Sequence, residues 1–334
     1  MMKKSKRLIS EALTTLAGNM NRTGDPLGFK SVYWTEWSKG LDLPREGHTF
    51  LFTARMYQML PYILQATKLI STASPLLCVN GLNRLLRLGN RLAGEKVIRL
   101  KAATSGKMKK KGNKALRGIV SALRAVGIQP AYLYEDEPYS GVLLHDLGIN
   151  GETHAHMKRV HNLLKSRQVK QIIVTDPHTF HMFKNIYAEN LEAYDIEVTH
   201  YLEILAEKVA ILQGACKGAP KEKYVIHDSC VMTRELGFVE PARKVATAIG
   251  VDLLEPENAG LNTACCGGPI EYAFGELSEK VSLLRGKELA ACSRHIFVNC
   301  PICLINLSKY ETPLGIRVSD MGELLYDSLH GPGH

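Results

Sequence analysis

Five cysteines in the second half of the chain have the residue type and the spacing of a metal centre. They follow the pattern C-x34-C-C-G-x32-C-x2-C and comprise Cys230, Cys265, Cys266, Cys300 and Cys303. Thiolates are soft ligands that suit zinc and iron–sulfur clusters. A structural zinc takes four ligands, usually from two C-x2-C knuckles, whereas this chain has one such knuckle and a fifth thiol. The pattern favours a multi-iron cluster, and a zinc site or a set of buried apolar cysteines is the alternative.

Short apolar runs alternate with helical stretches, which predicts an α/β fold with largely parallel sheets. The predicted strands are Thr49–Thr53, Pro130–Tyr134, Gln171–Thr175, Tyr224–His227, Val251–Leu254, Ile296–Asn299 and Ile316–Val318. The predicted helices include Ser10–Ala17, Lys114–Val126, Ala155–Arg167, Pro241–Ile249 and Leu277–Ala291. On the last of these helices, Leu277, Val281 and Leu284 form one apolar stripe, the pattern of an amphipathic helix.

Three of the five cysteine positions lie in loops directly after predicted strands or before predicted helices. In an open parallel sheet, the carboxyl ends of the strands converge on one crevice, where ligands bind. We therefore expect a cluster site at the strand ends in this half of the chain. Gly267 and Gly268 follow the cysteine pair and allow the backbone to approach a bulky group closely.

An internal repeat predicts two lobes of the same design. The segment IIVTDPHTF at 172–180 parallels IFVNCPICL at 296–304, and two further blocks precede it in the same order in both halves. We predict a leader helix and linker over 1–46, a first lobe over 47–220 and a second, cluster-binding lobe over 221–334. A basic insertion over about 84–117 interrupts the first lobe.

The cysteine pattern, with HDSC at 227–230, CCGG at 265–268 and C-x2-C at 300–303, resembles the cysteine-rich CCG domain. That domain occurs in the catalytic B-type subunit of heterodisulfide reductases. It also occurs in iron–sulfur subunits of anaerobic glycerol-3-phosphate dehydrogenase, of lactate and glycolate oxidases and of one class of succinate dehydrogenase. The resemblance implies a [4Fe–4S] cluster on the five cysteines, and a noncubane cluster in the heterodisulfide reductase branch.

The same resemblance implies a function and partners. It implies an iron–sulfur redox subunit of a heterodisulfide reductase-like oxidoreductase, which reduces a disulfide or relays electrons. The expected partners are ferredoxin-type iron–sulfur subunits, flavoprotein subunits or both, because no ferredoxin module is expected in this sequence. One alternative is an electron-transfer subunit of a flavin-linked dehydrogenase that passes electrons to quinone. A non-enzymatic zinc-binding assembly module is the other alternative.

The first lobe has no cysteine at the positions that match the motif. Ala54-Arg55 replaces the expected Gly-Cys, Tyr139-Ser140-Gly141 replaces CCG, and Asp176-Pro177-His178-Thr179 replaces C-x2-C. The lobe is either a degenerate scaffold or a polar pocket for a substrate or partner cofactor, lined by Arg55, Tyr139, Asp176 and His178. A pocket predicts that Arg55 and Asp176 pair across it, because buried ions are tolerated in pairs.

His227 is the candidate for catalytic chemistry because it lies three residues before Cys230. Its ring would donate a hydrogen bond to a cluster sulfur or protonate a product thiolate, and a strand residue without such a role is the alternative. The remaining cysteines, Cys78, Cys216 and Cys292, lie outside the pattern and are interpreted as packing residues.

Positive charge is concentrated in one segment. Residues 84–117 carry twelve Lys and Arg and one acidic residue, a net charge of +11, whereas the whole chain has +9. A solvated face, a docking surface for an acidic subunit and a membrane-surface contact are the three interpretations. Nucleic acid is not expected as a partner, because no aromatic residue interleaves these charges.

Composition and targeting patterns favour a cytoplasmic globular protein. The chain is 45% apolar and 22% charged, which is typical of folded domains and excludes disorder as the main state. We expect no membrane span and no secretory signal, and a peripheral position at the inner face of the membrane is the variant that the basic segment allows. The absence of a G-x-G-x-x-G or Walker A motif predicts that no nucleotide is bound.

Overall fold

The structure is a computed structural model that describes residues 2–29, 31–63, 106–268, 271 and 274–331, with side chains from residue 13 onward. It confirms the α/β class with two parallel sheets. The first sheet contains β1 (Thr49–Phe52), β2 (Ala131–Tyr132), β3 (Gln171–Val174) and β4 (Glu197–His200). The second contains β5 (Lys223–His227), β6 (Asp252–Leu254), β7 (His295–Val298) and β8 (Arg317–Asp320).

The two sheets have the same topology. Their strand orders are β2-β1-β3-β4 and β6-β5-β7-β8, and every pair of neighbours is parallel. The predicted internal repeat is thereby confirmed. Sequence patterning missed β4, because only His200 at its end is buried and the strand lies at the sheet edge.

Helices cover the sheets and account for most of the remaining described residues. The longer ones are α1 (Met2–Thr23), α2 (Gly106–Ala125), α4 (Asn150–Ser166), α8 (Glu240–Ala248), α9 (Gly275–Cys292), α10 (Pro301–Ser308) and α12 (Met321–His330). The shorter ones are α3 (Val142–Asp146), α5 (Pro177–His181), α6 (Tyr201–Glu207), α7 (Val209–Ala215) and α11 (Glu311–Leu314). A further helix begins at Met56 and is described as far as residue 63. A π-helical segment, Met182–Tyr187, and a turn, Ala188–Asn190, follow α5.

The central strands form the core of each half. Apolar side chains of β1, β3, β5 and β7 are almost completely buried, with helices packed against the sheets. Parallel strands require crossover connections, which place helices on the sheet faces, so such strands consist of nearly continuous apolar runs. This burial explains why the short apolar runs predicted these four strands correctly.

The two halves pack together through helices at equivalent places. Helix α2 follows the first strand of its sheet and packs against α12, which follows the last strand of the other sheet. Helix α8, the equivalent of α2, likewise packs against α6, the equivalent of α12. Gly118 and Gly322 allow the first contact, since a Cβ at Gly118 would lie 1.8 Å from the Gly322 carbonyl oxygen.

The predicted leader packs into the core of the first half. Trp34 and Trp37 are both 1% exposed, and the Trp37 indole N–H donates to the Tyr132 hydroxyl at 3.2 Å. The predicted helix Ser10–Ala17 lies within α1. The leader therefore contributes to the same core as β2.

The apolar stripe predicted on α9 faces solvent. Leu277 is 51% exposed and Leu284 is 68% exposed. The buried side chains of this helix are instead largely polar or small and include Ser278, Ser282, Arg285 and Gly286. The reason is that α9 makes hydrogen bonds with its polar face to residues around the cysteines.

Candidate metal centre

Three of the cysteines follow strands of the second sheet and begin helical turns. Cys230 comes three residues after β5 and precedes a π-helical turn, Val231–Glu235. Cys300 is the N-cap of α10, Pro301 takes the first helical position and Cys303 lies in the first turn. Proline suits this position because the backbone N–H that it lacks would have no partner within the helix. The strand-to-helix junction therefore fixes the C-x2-C spacing.

The other two cysteines lie in a tight loop held against α9. Gly267 has a φ of +80°, and a Cβ at this position would lie 2.6 Å from the Ser278 carbonyl oxygen. The Gly267 N–H donates to the Cys265 sulfur at 3.2 Å, while Cys266 points into the buried side of the loop. Glycine is required at this turn for both its φ and its close approach.

The structure brings all five thiols together. Cys265 lies within hydrogen-bonding range of Cys230 and Cys266. Cys303 lies within the same range of Cys266 and Cys300. The sulfurs thus form one connected set at the strand ends, where the sequence predicted a crevice.

Burial differs across this set of thiols. Cys266, Cys300 and Cys303 are between 1% and 3% exposed, whereas Cys230 and Cys265 are partly exposed. One side of the set therefore lies in the interior and the other reaches the surface. A group bound there would contact the three buried thiols on its inner side and would be accessible to solvent on the side of Cys230 and Cys265.

The pKa values of the five thiols are shifted in opposite directions. Hydrogen bonds from Cys230 and Cys266 lower the pKa of Cys265. At Cys300, burial acts to raise the pKa, but hydrogen bonds, the strongest of them from Cys303, lower it well below its usual range. Hydrogen bonding to neighbouring sulfurs raises the pKa of the other three thiols. Clustered thiolates of this kind suit a positively charged metal group.

Two buried polar groups beside the thiols have no hydrogen-bond partner. The side-chain amide nitrogen of Asn306 is one, and a Cβ on Gly268 would lie 2.8 Å from it and 3.4 Å from the Cys266 sulfur. Nε2 of His227 is the other, and a ring nitrogen of His227 lies within 4.8 Å of the Cys266 and Cys303 sulfurs. Buried polar groups are normally hydrogen-bonded. Donors beside sulfurs fit an iron–sulfur cluster, whose inorganic sulfides accept hydrogen bonds.

A buried arginine determines how His227 presents its ring. Nε of Arg285, a residue that is 1% exposed, donates to Nδ1 of His227 at 3.1 Å. Burial, together with the positive charge of Arg285, lowers the pKa of His227 to about 3. The ring is therefore neutral at physiological pH, and because Nδ1 accepts, its proton lies on Nε2.

These contacts explain the polar buried face of α9. The Ser278 hydroxyl donates to the Gly267 carbonyl at 2.8 Å, and the Ser282 hydroxyl donates to the Asn306 carbonyl at 3.2 Å. Arg285 adds its bond to His227. The helix is oriented by hydrogen bonds to the loops around the thiols, so its apolar stripe is left outside. Sequence patterning missed Arg285 and Asn306, because a lone Arg or Asn in a helix has no distinctive spacing.

Strand register places the first-half counterparts of the cysteines. Strands β1 and β5 have equivalent neighbours, and so do β3 and β7, which aligns the residues that follow them. The positions obtained agree with the sequence repeat. The register gives Arg55 as the counterpart of Cys230, Asp176 of Cys300 and Thr179 of Cys303. The sequence repeat alone gives Tyr139 as the counterpart of Cys265 and Ser140 as that of Cys266.

The predicted pairing of Arg55 with Asp176 is wrong. Nη1 of Arg55 lies 3.1 Å from Oδ2 of Asp25 in the leader, and Nη2 donates to the Glu137 carbonyl. Asp176 instead caps α5 by accepting from the Thr179 backbone N–H at 3.0 Å. The leader supplies a nearer carboxylate, which the repeat alone could not reveal.

The other two residues of the predicted first-lobe pocket lie in different surroundings. The Tyr139 hydroxyl accepts from the Leu143 backbone N–H at 3.1 Å, and the residue is 2% exposed. His178, which is 8% exposed, lies within hydrogen-bonding range of the Cys300 sulfur in the other half. Burial acts to lower the pKa of His178, but this hydrogen bond and the nearby thiolate raise it to about 9. Each of the four side chains therefore has a partner of its own, and the pocket stays a prediction.

Four of the six cationic residues in the described part of the basic segment, 106–117, pair with three acidic residues of the same chain. Lys107 and Lys111 both pair with Glu311, at 2.5 and 2.7 Å. Two further pairs are Lys109 with Glu36 and Lys114 with Asp327. Residues 84–105, and with them most of the predicted docking or membrane surface, lie outside the described residues, as does Cys78. No helix in the described ranges is both long and apolar enough to cross a membrane.

The fold and the thiol site together define a two-lobed α/β protein with one cysteine-rich lobe. Residues 224–308 match the family model described as the cysteine-rich domain, CCG. The resemblance predicted from the cysteine pattern is therefore confirmed for the segment that contains all five thiols.

Similar proteins are redox proteins by name. The chain is 26% identical over 231 residues to a probable membrane-anchored ferredoxin of Chromohalobacter salexigens, covering 66% of this chain and 34% of that protein. It is 29% identical over 230 residues to the EtfAB:quinone oxidoreductase of Syntrophomonas wolfei, covering 63% and 31%. It is 25% identical over 220 residues to one of the subunits of the dihydromethanophenazine:CoB–CoM heterodisulfide reductase of Methanosarcina acetivorans, covering 62% and 53%.

These matches support an iron–sulfur redox role at a general level. The chain spans between about a third and about a half of the length of these three relatives. The activity and the partners of any one relative therefore apply to this chain only as proposals.

Proposed function

We propose that this chain is an iron–sulfur redox subunit that binds one [4Fe–4S] cluster on Cys230, Cys265, Cys266, Cys300 and Cys303. It works within a heterodisulfide reductase-like oxidoreductase complex. The observation that supports this proposal is the connected set of five thiols, which exceeds the four ligands of a structural zinc. A noncubane cluster is the form that the resemblance to the heterodisulfide reductase branch implies.

The surrounding residues have distinct tasks in this proposal. The cluster, when bound, would supply single-electron chemistry. His227 and Asn306 donate hydrogen bonds to its buried side, and Arg285 holds His227 in the donating tautomer. The partly exposed Cys230 and Cys265 mark the side from which a disulfide or an electron carrier approaches.

Metal analysis tests the ligand set. Anaerobically purified protein should be brown and contain about four irons per chain. Cys265→Ser and Cys300→Ser should each lose the visible absorbance, because a hydroxyl is a poor ligand for soft iron. Cys292→Ser is the matched control, since Cys292 is an exposed cysteine at the end of α9 and should be dispensable.

The outcomes separate the cluster from the zinc alternative. Loss of iron in both ligand variants, with normal iron in the Cys292 variant, supports the assignment. Colourless protein with one zinc and no sulfide would establish the assembly-module alternative. An equal loss of iron in all three variants would refute the proposed set of ligands.

A second candidate function is electron transfer to quinone within a flavin-linked dehydrogenase. The similarity to an EtfAB:quinone oxidoreductase favours it. Reduced protein should be mixed separately with cystine and with menadione. Cystine reduction takes up two electrons and two protons and releases two thiols, so thiol release that matches the electrons lost supports the disulfide reductase. Oxidation by the quinone without reaction with the disulfide supports the second candidate.

A further inference from the structure

One side chain of the cysteine-free first half faces the thiol site of the second. His178 lies in the first turn of α5, two residues after the N-cap Asp176. Its ring is buried and lies within hydrogen-bonding range of the Cys300 sulfur. Cys300 and His178 are 122 residues apart in the chain, so only the packing of the two halves brings them together.

The contact follows from the way the two sheets meet. Helix α5 follows β3 and packs against Val231–Glu235, the turn that begins after Cys230. The rings of Phe180 and Phe238 lie 5.9 Å apart across this junction. The strand ends of the two sheets therefore face each other, and residues that follow one sheet reach the site of the other.

A second buried contact also joins the two halves. The Tyr57 hydroxyl, in the helix after β1, donates to Oδ2 of Asp320 at 2.9 Å, and both side chains are at most 1% exposed. Asp320 is the N-cap of α12 at the end of β8. The two halves are thus joined at two places, by the packing of α5 and by the Tyr57–Asp320 hydrogen bond.

The sequence repeat clarifies what kind of residue His178 is. It occupies the position of Ile302, the second residue between the two cysteines of the C-x2-C turn. In the second half this position, Ile302, is not one of the five proposed ligands. In the first half the same position is His178, whose imidazole faces the thiol site of the second half. Other side chains stand where that motif would have cysteines.

We infer that His178 is a positioning residue that donates a hydrogen bond to the Cys300 sulfur, so that the first half completes the cluster site of the second. This inference rests on the proposed function, since it concerns the cluster that the five thiols bind. An N–H donated to a thiolate sulfur withdraws negative charge from it. The reduced cluster carries one more negative charge than the oxidised cluster, so the donor stabilises the reduced state and raises the reduction potential.

The test measures the reduction potential as well as the iron content. His178→Ala should keep its iron but show a midpoint potential shifted to a more negative value in an EPR-monitored redox titration. His178→Asn or His178→Gln, each of which retains a side-chain N–H, should restore part of the shift. The matched control is His181→Ala, because His181 lies on the same helix but contacts Asn185 instead of a cysteine.

Each outcome has a defined meaning. A wild-type potential in the loaded His178→Ala protein would overturn the inference and leave the proposed cluster intact. Loss of iron from the alanine, asparagine and glutamine variants alike would show that His178 only packs, and would also overturn it. Absence of iron from the wild-type chain would refute the proposed function itself.

Discussion

Arg285 donates from Nε to Nδ1 of His227 over 3.1 Å, and the two side chains are each 1% exposed. A guanidinium has donors only, so Nδ1 must accept and the ring proton must lie on Nε2. Nε2 has no partner among the described residues and is the ring nitrogen left for a bound group. His227 follows Ile226 at the end of β5, where its first-half counterpart is Phe52.

The first prediction concerns this pair. His227→Phe should retain the cluster with a more negative midpoint potential, because the Nε2–H donor is lost while the ring volume is kept. Arg285→Gln should shift the potential in the same direction and lower the free energy of unfolding by about 1–3 kcal/mol, because Nδ1 of the buried His227 loses its donor.

A double variant checks that the two residues act as one unit. Arg285→Gln combined with His227→Phe should have the potential of His227→Phe alone. Arg294→Gln, an exposed arginine that donates to backbone carbonyls, is the control and should leave the potential unchanged. Additive shifts in the double variant would contradict a positioning role for Arg285.

The second prediction concerns the helix contact between the halves. Gly118→Ala should lower the free energy of unfolding by at least about 1–3 kcal/mol, because its Cβ would overlap the Gly322 carbonyl and force α2 away from α12. Gly151→Ala in α4 is the control, since open space surrounds that position, and it should be neutral or slightly stabilising. Urea unfolding of both variants measures the difference, and equal stability would show that the helices can separate without cost.

The third prediction concerns the buried ion pair of Arg55 and Asp25. Arg55→Met should cost about 3–5 kcal/mol of unfolding free energy, because it leaves the Asp25 carboxylate buried without its cation. Adding Asp25→Leu should recover part of this loss. A parallel cycle of Arg55→Met with Asp176→Asn should be close to additive, and strong coupling there instead would restore the pairing that the repeat predicted.

The fourth prediction is a pH dependence of stability that Asp320 causes. Burial raises the pKa of Asp320 from 3.8 to about 8. The folded state therefore holds this proton more tightly than the unfolded state, so the stability from this group is lost as pH rises from about 4 through 8. Asp320→Asn should flatten the fall in unfolding free energy between about pH 4 and pH 8.

The matched control for this prediction is an exposed carboxylate. Asp252→Asn removes a surface partner of Lys223 and should leave the pH profile of the wild type unchanged. An Asp320→Asn profile with the wild-type slope would mean that other groups carry the dependence.

Local sequence determined much of the fold and the composition of the site. Apolar runs predicted seven of the eight strands in the part of the chain that the structure describes, because buried parallel strands need continuous apolar residues. The repeat and the cysteine spacing placed the thiols at strand ends, because strand-end convergence is a property of the sheet and not of distant contacts. The missed strand, β4, lies at a sheet edge with most of its side chains partly exposed, so it has no such apolar run.

Only the tertiary structure decided which side chains meet across long separations. The leader brings Asp25 to Arg55, α9 turns its polar face inward to bind His227, and the junction of the halves places His178 beside Cys300. Each of these contacts joins residues at least 30 positions apart. Sequence periodicity reports the local geometry of one element, whereas these contacts depend on how separate elements pack, so no local pattern could have predicted them.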